Sequence, residues 1–242
     1  QNINPRDTSA VLGYQEKILC GKGYIEDELC GGRFQIAASS FYQVNPKQTE
    51  VLYQTAISAA KLDGSQSVLD AYCGVGTIGL TAAGKARSVL GVELNKKAVQ
   101  CALENARKNG IKNARFLCED ATKFIQKMAD RGEHVDVVFM DPPRAGSTPE
   151  FLDAVSRMKP DSIVYISCNP ETLKRDLEIL VKKNWKVEMI QGVDLFPGTK
   201  HTETVCLLSN RKSKPDTYIK LSLDMEDYYR IKDAEKEKNK TS

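Results

Sequence analysis

The chain has 242 residues, 41% hydrophobic and 28% charged, a balance that suits one globular α/β domain with some tens of residues to spare. Its net charge of +3 permits a nucleic-acid partner without arguing for one, and no apolar run approaches the roughly 20 residues of a membrane-spanning helix. The seven cysteines (20, 30, 73, 101, 118, 168 and 206) include no CxxC pair, and the only histidines are His134 and His201. That usage argues against a disulfide framework, a zinc site or a multi-histidine metal centre, and leads one to expect a reducing cytoplasm and no membrane association.

Residues 1–45 are punctuated by Gly21-Lys22-Gly23 and Gly31-Gly32 and read as loops, turns or short strands without a core of their own. A helix start follows: Asn45 can cap, Pro46 takes the first helical position, and Val51, Leu52, Ala56, Ala59 and Ala60 keep helical spacing up to Leu62-Asp63-Gly64. Strands and helices then alternate. Strands are predicted at Ser67–Tyr72, Ser88–Val92, Ala114–Cys118, Val135–Met140 and Ser162–Ser167, with helices at Asn95–Asn109, Thr122–Ala129, Pro149–Met158 and Glu171–Lys183. Trp185–Val193 and Thr204–Ser209 are two strands with no helix between them, hence antiparallel neighbours. The expected fold is therefore a mostly parallel, doubly wound α/β sheet with an antiparallel C-terminal strand. Residues 211–242 form a charged tail that includes Lys212, Lys214 and Tyr228-Tyr229.

The first of these strands runs into Asp70-Ala71-Tyr72-Cys73-Gly74-Val75-Gly76-Thr77-Ile78-Gly79, where Gly74, Gly76 and Gly79 match GxGxxG. Glycine lets a ligand approach the backbone closely. Glu93 ends the second strand, where a carboxylate can accept hydrogen bonds from both hydroxyls of a ribose, and Asp120 follows the third. A dinucleotide and S-adenosylmethionine both suit this pattern. Further on, strand four ends in Asp141-Pro142-Pro143-Arg144-Ala145-Gly146 and strand five in Ser167-Cys168-Asn169-Pro170. Parallel strands put both ends on one edge, so Asp141 and Cys168 should meet near the glycine loop. The paired prolines stiffen the exit after Asp141, and Arg144 suits a phosphate or a carbonyl-bearing base. Glu203 begins the last strand, and an antiparallel strand starts on the edge where the others end.

Five segments together resemble the RNA 5-methyluridine methyltransferase family that acts on transfer and ribosomal RNA: Phe41-Tyr42-Gln43-Val44-Asn45, Asp70–Gly76, Asp141–Gly146, Ser167–Pro170 and His201-Thr202-Glu203. The resemblance covers residues 34–210 and implies a Rossmann-like S-adenosylmethionine-dependent fold with S-adenosylmethionine as cofactor and RNA as partner. It implies Cys168 as nucleophile and Glu203 as base, with Gln43, Tyr72, Gly74, Gly76, Thr77, Glu93, Asp120 and Asp141 at the cofactor. Thr77 stands where some members have Asn. Residues 1–33 are expected to be the remnant of a region joining this catalytic part to others, and neither a metal nor an iron–sulfur cluster is expected, since Cys20 and Cys30 lack cluster spacing.

The chemistry accounts for the residue types. Carbon 5 of uracil is a poor nucleophile; thiolate addition at carbon 6 turns it into one, and a base must afterwards remove its proton. A cytosine carbon 5 methyltransferase would share the thiolate but need an acid at nitrogen 3. A dinucleotide oxidoreductase would leave Cys168 and Glu203 without a job, and a non-catalytic RNA-binding module would have only Lys182, Lys183, Lys212 and Lys214 to offer.

Overall fold

A strand that is apolar on both faces must be covered on both. All four residues of Val137–Met140 are buried, and this strand lies fourth in a sheet of seven. The computed structural model describes residues 2–3 and 15–210. In chain order these are β1 (Asn2–Ile3), β2 (Gln15–Glu16), β3 (Tyr24–Leu29), β4 (Gly32–Ala37), α1 (Pro46–Ala60), β5 (Ser67–Ala71) and α2 (Thr77–Ala83). There follow β6 (Ser88–Glu93), α3 (Lys96–Lys108), β7 (Ala114–Cys118), α4 (Ala121–Asp130), β8 (Val137–Met140) and α5 (Pro149–Met158). The last are β9 (Ser162–Ser167), α6 (Pro170–Lys182), β10 (Trp185–Val193) and β11 (Glu203–Asn210). The charged tail of the sequence lies outside the described residues. No helix among them is long and apolar enough to cross a membrane.

The sheet runs β10-β11-β9-β8-β5-β6-β7. Strands β5 to β9 are mutually parallel, while β11 is antiparallel to both β9 and β10, as the missing crossover helix requires. Side chains alternate across the sheet: Val137 and Phe139 join Leu52, Ile78 and Phe116 on the face covered by α1, α2 and α3. Val138 and Met140 join Ile125, Phe151 and Leu177 on the face covered by α4, α5 and α6. Burying each such side chain contributes about 1.5–3 kcal/mol.

Helix ends follow their capping residues. The Asn45 side chain accepts from Gln48 N, with Pro46 next; Asn95, Asp120, Thr148 and Asn169 cap α3 to α6 in the same manner. Several boundaries differ from expectation by a residue or two: β8 begins at Val137 rather than Val135, and β6 runs on to Glu93. β5 stops at Ala71 because Tyr72 is left-handed, with φ of 65°, and cannot continue a ladder.

The glycine-punctuated segment forms a hairpin, β3–β4, whose Leu29 and Phe34 are buried in the core beneath α1. The expected boundary between residues 33 and 34 falls inside β4. Asn105 of α3 and the helix's C-cap residue, Asn109, serve this strand as a neighbouring strand would. Asn105 accepts from Gln35 N and donates to Gln35 O, and Asn109 does the same for Arg33. Asn105 also donates to the Val75 carbonyl at 3.0 Å, tying the hairpin to the glycine loop.

Candidate active site

The carboxyl ends of β5, β6, β7, β8 and β9 share one edge, and every candidate residue on the strands reaches it. On one half lies the glycine loop. Gly74 and Gly76 are left-handed, and Gly76 precedes the first residue of α2, Thr77. Gly79 is needed for closeness: a Cβ there would stand 2.8 Å from Asp70 Oδ2 and 2.9 Å from Val89 Cγ1. Without one, Gly79 N donates to Asp70 Oδ2 at 2.8 Å and α2 packs directly on β5. Glu93 braces the loop from β6. Its Oε2 accepts from Gly74 N at 3.1 Å and its Oε1 from Asn95 N at 2.7 Å. Asp120 caps α4 through Lys123 N at 2.9 Å, and its charge reaches the Tyr72 hydroxyl. The Tyr72 ring lies against Phe151, centroids 5.4 Å apart, with its hydroxyl 3.3 Å from Ser147 Oγ. Thr77 Oγ1 lies 3.2 Å from the buried Tyr53 hydroxyl, so α1 takes part in placing it. Tyr42 packs against Val75, and the adjoining Gln43 is buried.

On the other half lie Asp141, Cys168 and Glu203. The β9–β11 register pairs Ser167 with Thr204, which places Cys168 and Glu203 opposite each other one position further on. Glu203 is 5% exposed and Cys168 half-buried. Burial pushes the Glu203 carboxyl up to about 7. Asp141 is pushed up to about 8, first by burial, then by the charges of Glu203 and Asp70. The Cys168 thiol is raised by burial, then by Glu203 and Asp141, while Arg144 pulls it down. His201 is exposed, its ring edge-on to Phe196 at 6.4 Å.

All seven cysteines are free. Cys73, Cys101 and Cys206 are buried among apolar side chains, and Cys20 and Cys118 are exposed, away from these carboxylates. Cys168 alone combines partial burial with a facing Glu203, Asp141 and Arg144.

Sequence reasoning missed Asp70 as a functional group. It is buried, its Oδ1 has no hydrogen-bond partner, and burial pushes it up to about 7. The buried Asp70 and the partly buried Asp141 beside the glycine loop would repel a pyrophosphate and attract a cation. The arrangement therefore disfavours a dinucleotide and fits a ligand that carries a ribose, for Glu93, and positive charge, for Asp70 and Asp141. S-adenosylmethionine has both. Also missed was Asp176, fully buried on the same stripe of α6 as Leu173, Leu177 and Leu180. A carboxylate on an apolar stripe is a readable signal, because it must have partners.

A doubly wound sheet with a glycine loop, a ribose-ready acid and a cysteine–carboxylate pair on one edge defines a nucleotide-cofactor enzyme of the methyltransferase class. The chain belongs to the tRNA (uracil-5-)-methyltransferase family, whose model matches residues 11–211. It is 46% identical over 208 residues to an uncharacterized RNA methyltransferase of Halalkalibacterium halodurans, covering 86% of this chain and 45% of that protein. A Listeria monocytogenes relative of the same description is 48% identical over 208 residues, 86% of this chain and 46% of its own length. Among solved structures, the Pyrococcus abyssi tRNA (uracil-54, C5)-methyltransferase in complex with S-adenosyl-L-homocysteine aligns with a TM-score of 0.68 and 32% identity, over 86% of this chain and 49% of that one. An Agrobacterium tumefaciens SAM-dependent methyltransferase, 21% identical with a TM-score of 0.62 over 79% of this chain and 72% of its own, shares the fold. The chain spans about half the length of the curated relatives it matches.

Proposed function

We propose that this chain is the catalytic part of an S-adenosylmethionine-dependent enzyme that methylates carbon 5 of a uridine in structured RNA, transfer or ribosomal, giving 5-methyluridine. One observation carries the reading: the β9–β11 register sets Glu203 opposite Cys168 on the edge that holds the glycine loop. When bound, the cofactor supplies a sulfonium methyl group. Gly74 and Gly76 would let it approach the backbone, Glu93 would take its ribose hydroxyls, and Asp70 and Asp141 would offset its positive charge. Gln43, Tyr72, Thr77 and Asp120 would complete its walls.

The Cys168 thiolate adds to carbon 6 of the uracil, and the carbon 5–carbon 6 electron pair moves onto the carbon 4 oxygen. Carbon 5 would then take the methyl group as the carbon 4 carbonyl re-forms, the methyl–sulfur bond breaking with its electron pair left on the cofactor's sulfur as a neutral thioether. The Glu203 carboxylate removes the carbon 5 proton, the double bond re-forms, and the thiolate leaves. A base held near 7 is matched to this task at neutral pH. The positive charge of a bound cofactor and Arg144 both favour the thiolate.

RNA carrying 5-fluorouridine tests the reading, because fluorine cannot leave as a proton does. The wild type should form a Cys168–RNA adduct that survives denaturation, and Cys168→Ala should form none. Equal trapping by Cys168→Ala would dismiss the nucleophile. Nucleoside analysis of RNA after labelled methyl transfer distinguishes uridine from cytosine as the target.

A further inference from the structure

Arg144 follows two prolines on an exposed loop, yet its charge reaches the half-buried Cys168. Something must hold that loop, and α6 does so from the far side of Cys168. Its capping residue, Asn169, donates through Nδ2 to the Arg144 carbonyl at 3.3 Å. Thr172 Oγ1 lies 3.3 Å from the same carbonyl. Arg175 Nη2 is 3.0 Å from Ala145 O and 3.1 Å from Ser147 O. Ser147 N donates to Asp176 Oδ2 at 2.7 Å. Each is a side chain of α6 engaging backbone of residues 144–147.

The bracket is itself braced. Arg175 meets Asp176 Oδ1 through both Nε and Nη2, at 2.9 and 2.7 Å, and the Tyr165 hydroxyl of β9 donates to Asp176 Oδ2 at 2.7 Å. Asp176 is fully buried with all these contacts made, so its charge is compensated. Gly146 sits inside the bracket in a left-handed conformation with φ of 77°. A Cβ there would meet Arg175 Nη2 at 2.6 Å and Asp176 Oδ2 at 2.7 Å. The loop is thus clamped where only glycine fits.

We propose that Arg175 and Asp176 are positioning residues for methyl transfer, which hold residues 144–147 so that the Arg144 guanidinium stays beside the Cys168 thiol. They touch no reacting atom; they act through Arg144. The same helix carries the clamp and, through its capping turn, directly follows the nucleophile, so loop and thiol share one rigid support. Three ionisable groups act on the Cys168 thiol through their charges in this arrangement: Glu203 from β11, Asp141 from the end of β8 and Arg144, whose backbone carbonyl is held by Asn169, the residue next to Cys168. The first two oppose the thiolate, and Arg144 is the cation among them. The inference rests on Cys168 being the nucleophile.

The test is the pH dependence of Cys168 alkylation by iodoacetamide, read by peptide mass spectrometry because Cys20 and Cys118 are also exposed. Arg144→Ala should move the midpoint upward by about half a pH unit or more, the effect of removing a nearby cation. Arg175→Ala should move it in the same direction. Its side chain is half exposed, so this variant is suited to fold even if Asp176→Asn does not. The double variant Arg144→Ala/Arg175→Ala should shift no further than Arg144→Ala alone. An Arg175→Ala profile that coincides with the wild type, with only thermal stability lowered, would overturn the proposal, as would full additivity in the double variant. A Cys168→Ala protein that still traps 5-fluorouridine RNA would instead overturn the nucleophile assignment, whatever the alkylation profiles show.

Discussion

The two halves of the site treat their carboxylates in opposite ways. On the cofactor half, Glu93 accepts one backbone N–H with each oxygen and Asp120 caps a helix. These carboxyl groups have hydrogen-bond donors in place before any ligand arrives. On the chemical half, the Asp141 and Glu203 carboxylates accept no hydrogen bond from the described residues; burial pushes both toward neutrality, and for Asp141 the charges of Glu203 and Asp70 add to it. One half is a preorganised receptor. The other holds groups that a cation or a proton would satisfy, and a proton is what the proposed reaction would offer Glu203. Asp70 stands between the two, with one oxygen paired and one not.

Separate readouts should break this division if it is wrong. Cys168→Ala should cut methyl transfer by about a thousandfold or more while S-adenosyl-L-homocysteine binding, measured by calorimetry, stays as in the wild type. A matching loss of binding would mean that the halves are not separable. Glu93→Ala should do the converse. It removes two charge-assisted hydrogen bonds and the ribose acceptor, so binding should weaken about ten- to hundredfold. The alkylation profile of Cys168 should stay in place.

The smallest effect is in stability. The folded protein keeps Asp141, Asp70 and Glu203 protonated to higher pH than an unfolded chain does. It binds more protons over that range, so the contribution of these three groups to ligand-free stability is full below about pH 4 and is lost as pH rises toward about 8. Asp141→Asn removes one such group. In urea titrations it should leave stability at pH 4 nearly unchanged and raise it by about 1–2 kcal/mol at pH 8. An equal effect at both pH values would place Asp141 among the satisfied carboxylates instead.

Much of this was legible in the sequence, for reasons that differ by residue. The mostly parallel sheet, the antiparallel last strand and the meeting of Cys168 with Glu203 follow from the alternation of elements, because topology decides which ends share an edge. The Asn45 cap reads directly, since its partner lies three residues away. What escaped depends on partners far along the chain. Asn105 pairs with a strand 70 residues earlier and Asp176 with a loop 29 residues earlier, and neither spacing leaves a period in the sequence. Tyr72 escaped because a left-handed turn at a strand end is imposed by the loop that follows, not by the residue itself.

The central claim is that Cys168 attacks and Glu203 removes the proton from the opposite side. Glu203→Gln separates the two steps, because it keeps the shape of the side chain and loses the base. Rapid quenching of this variant with unmodified substrate RNA and S-adenosylmethionine should show methylated RNA accumulating in covalent linkage to Cys168, with little free product. Turnover at the wild-type rate with no linked RNA would contradict the account.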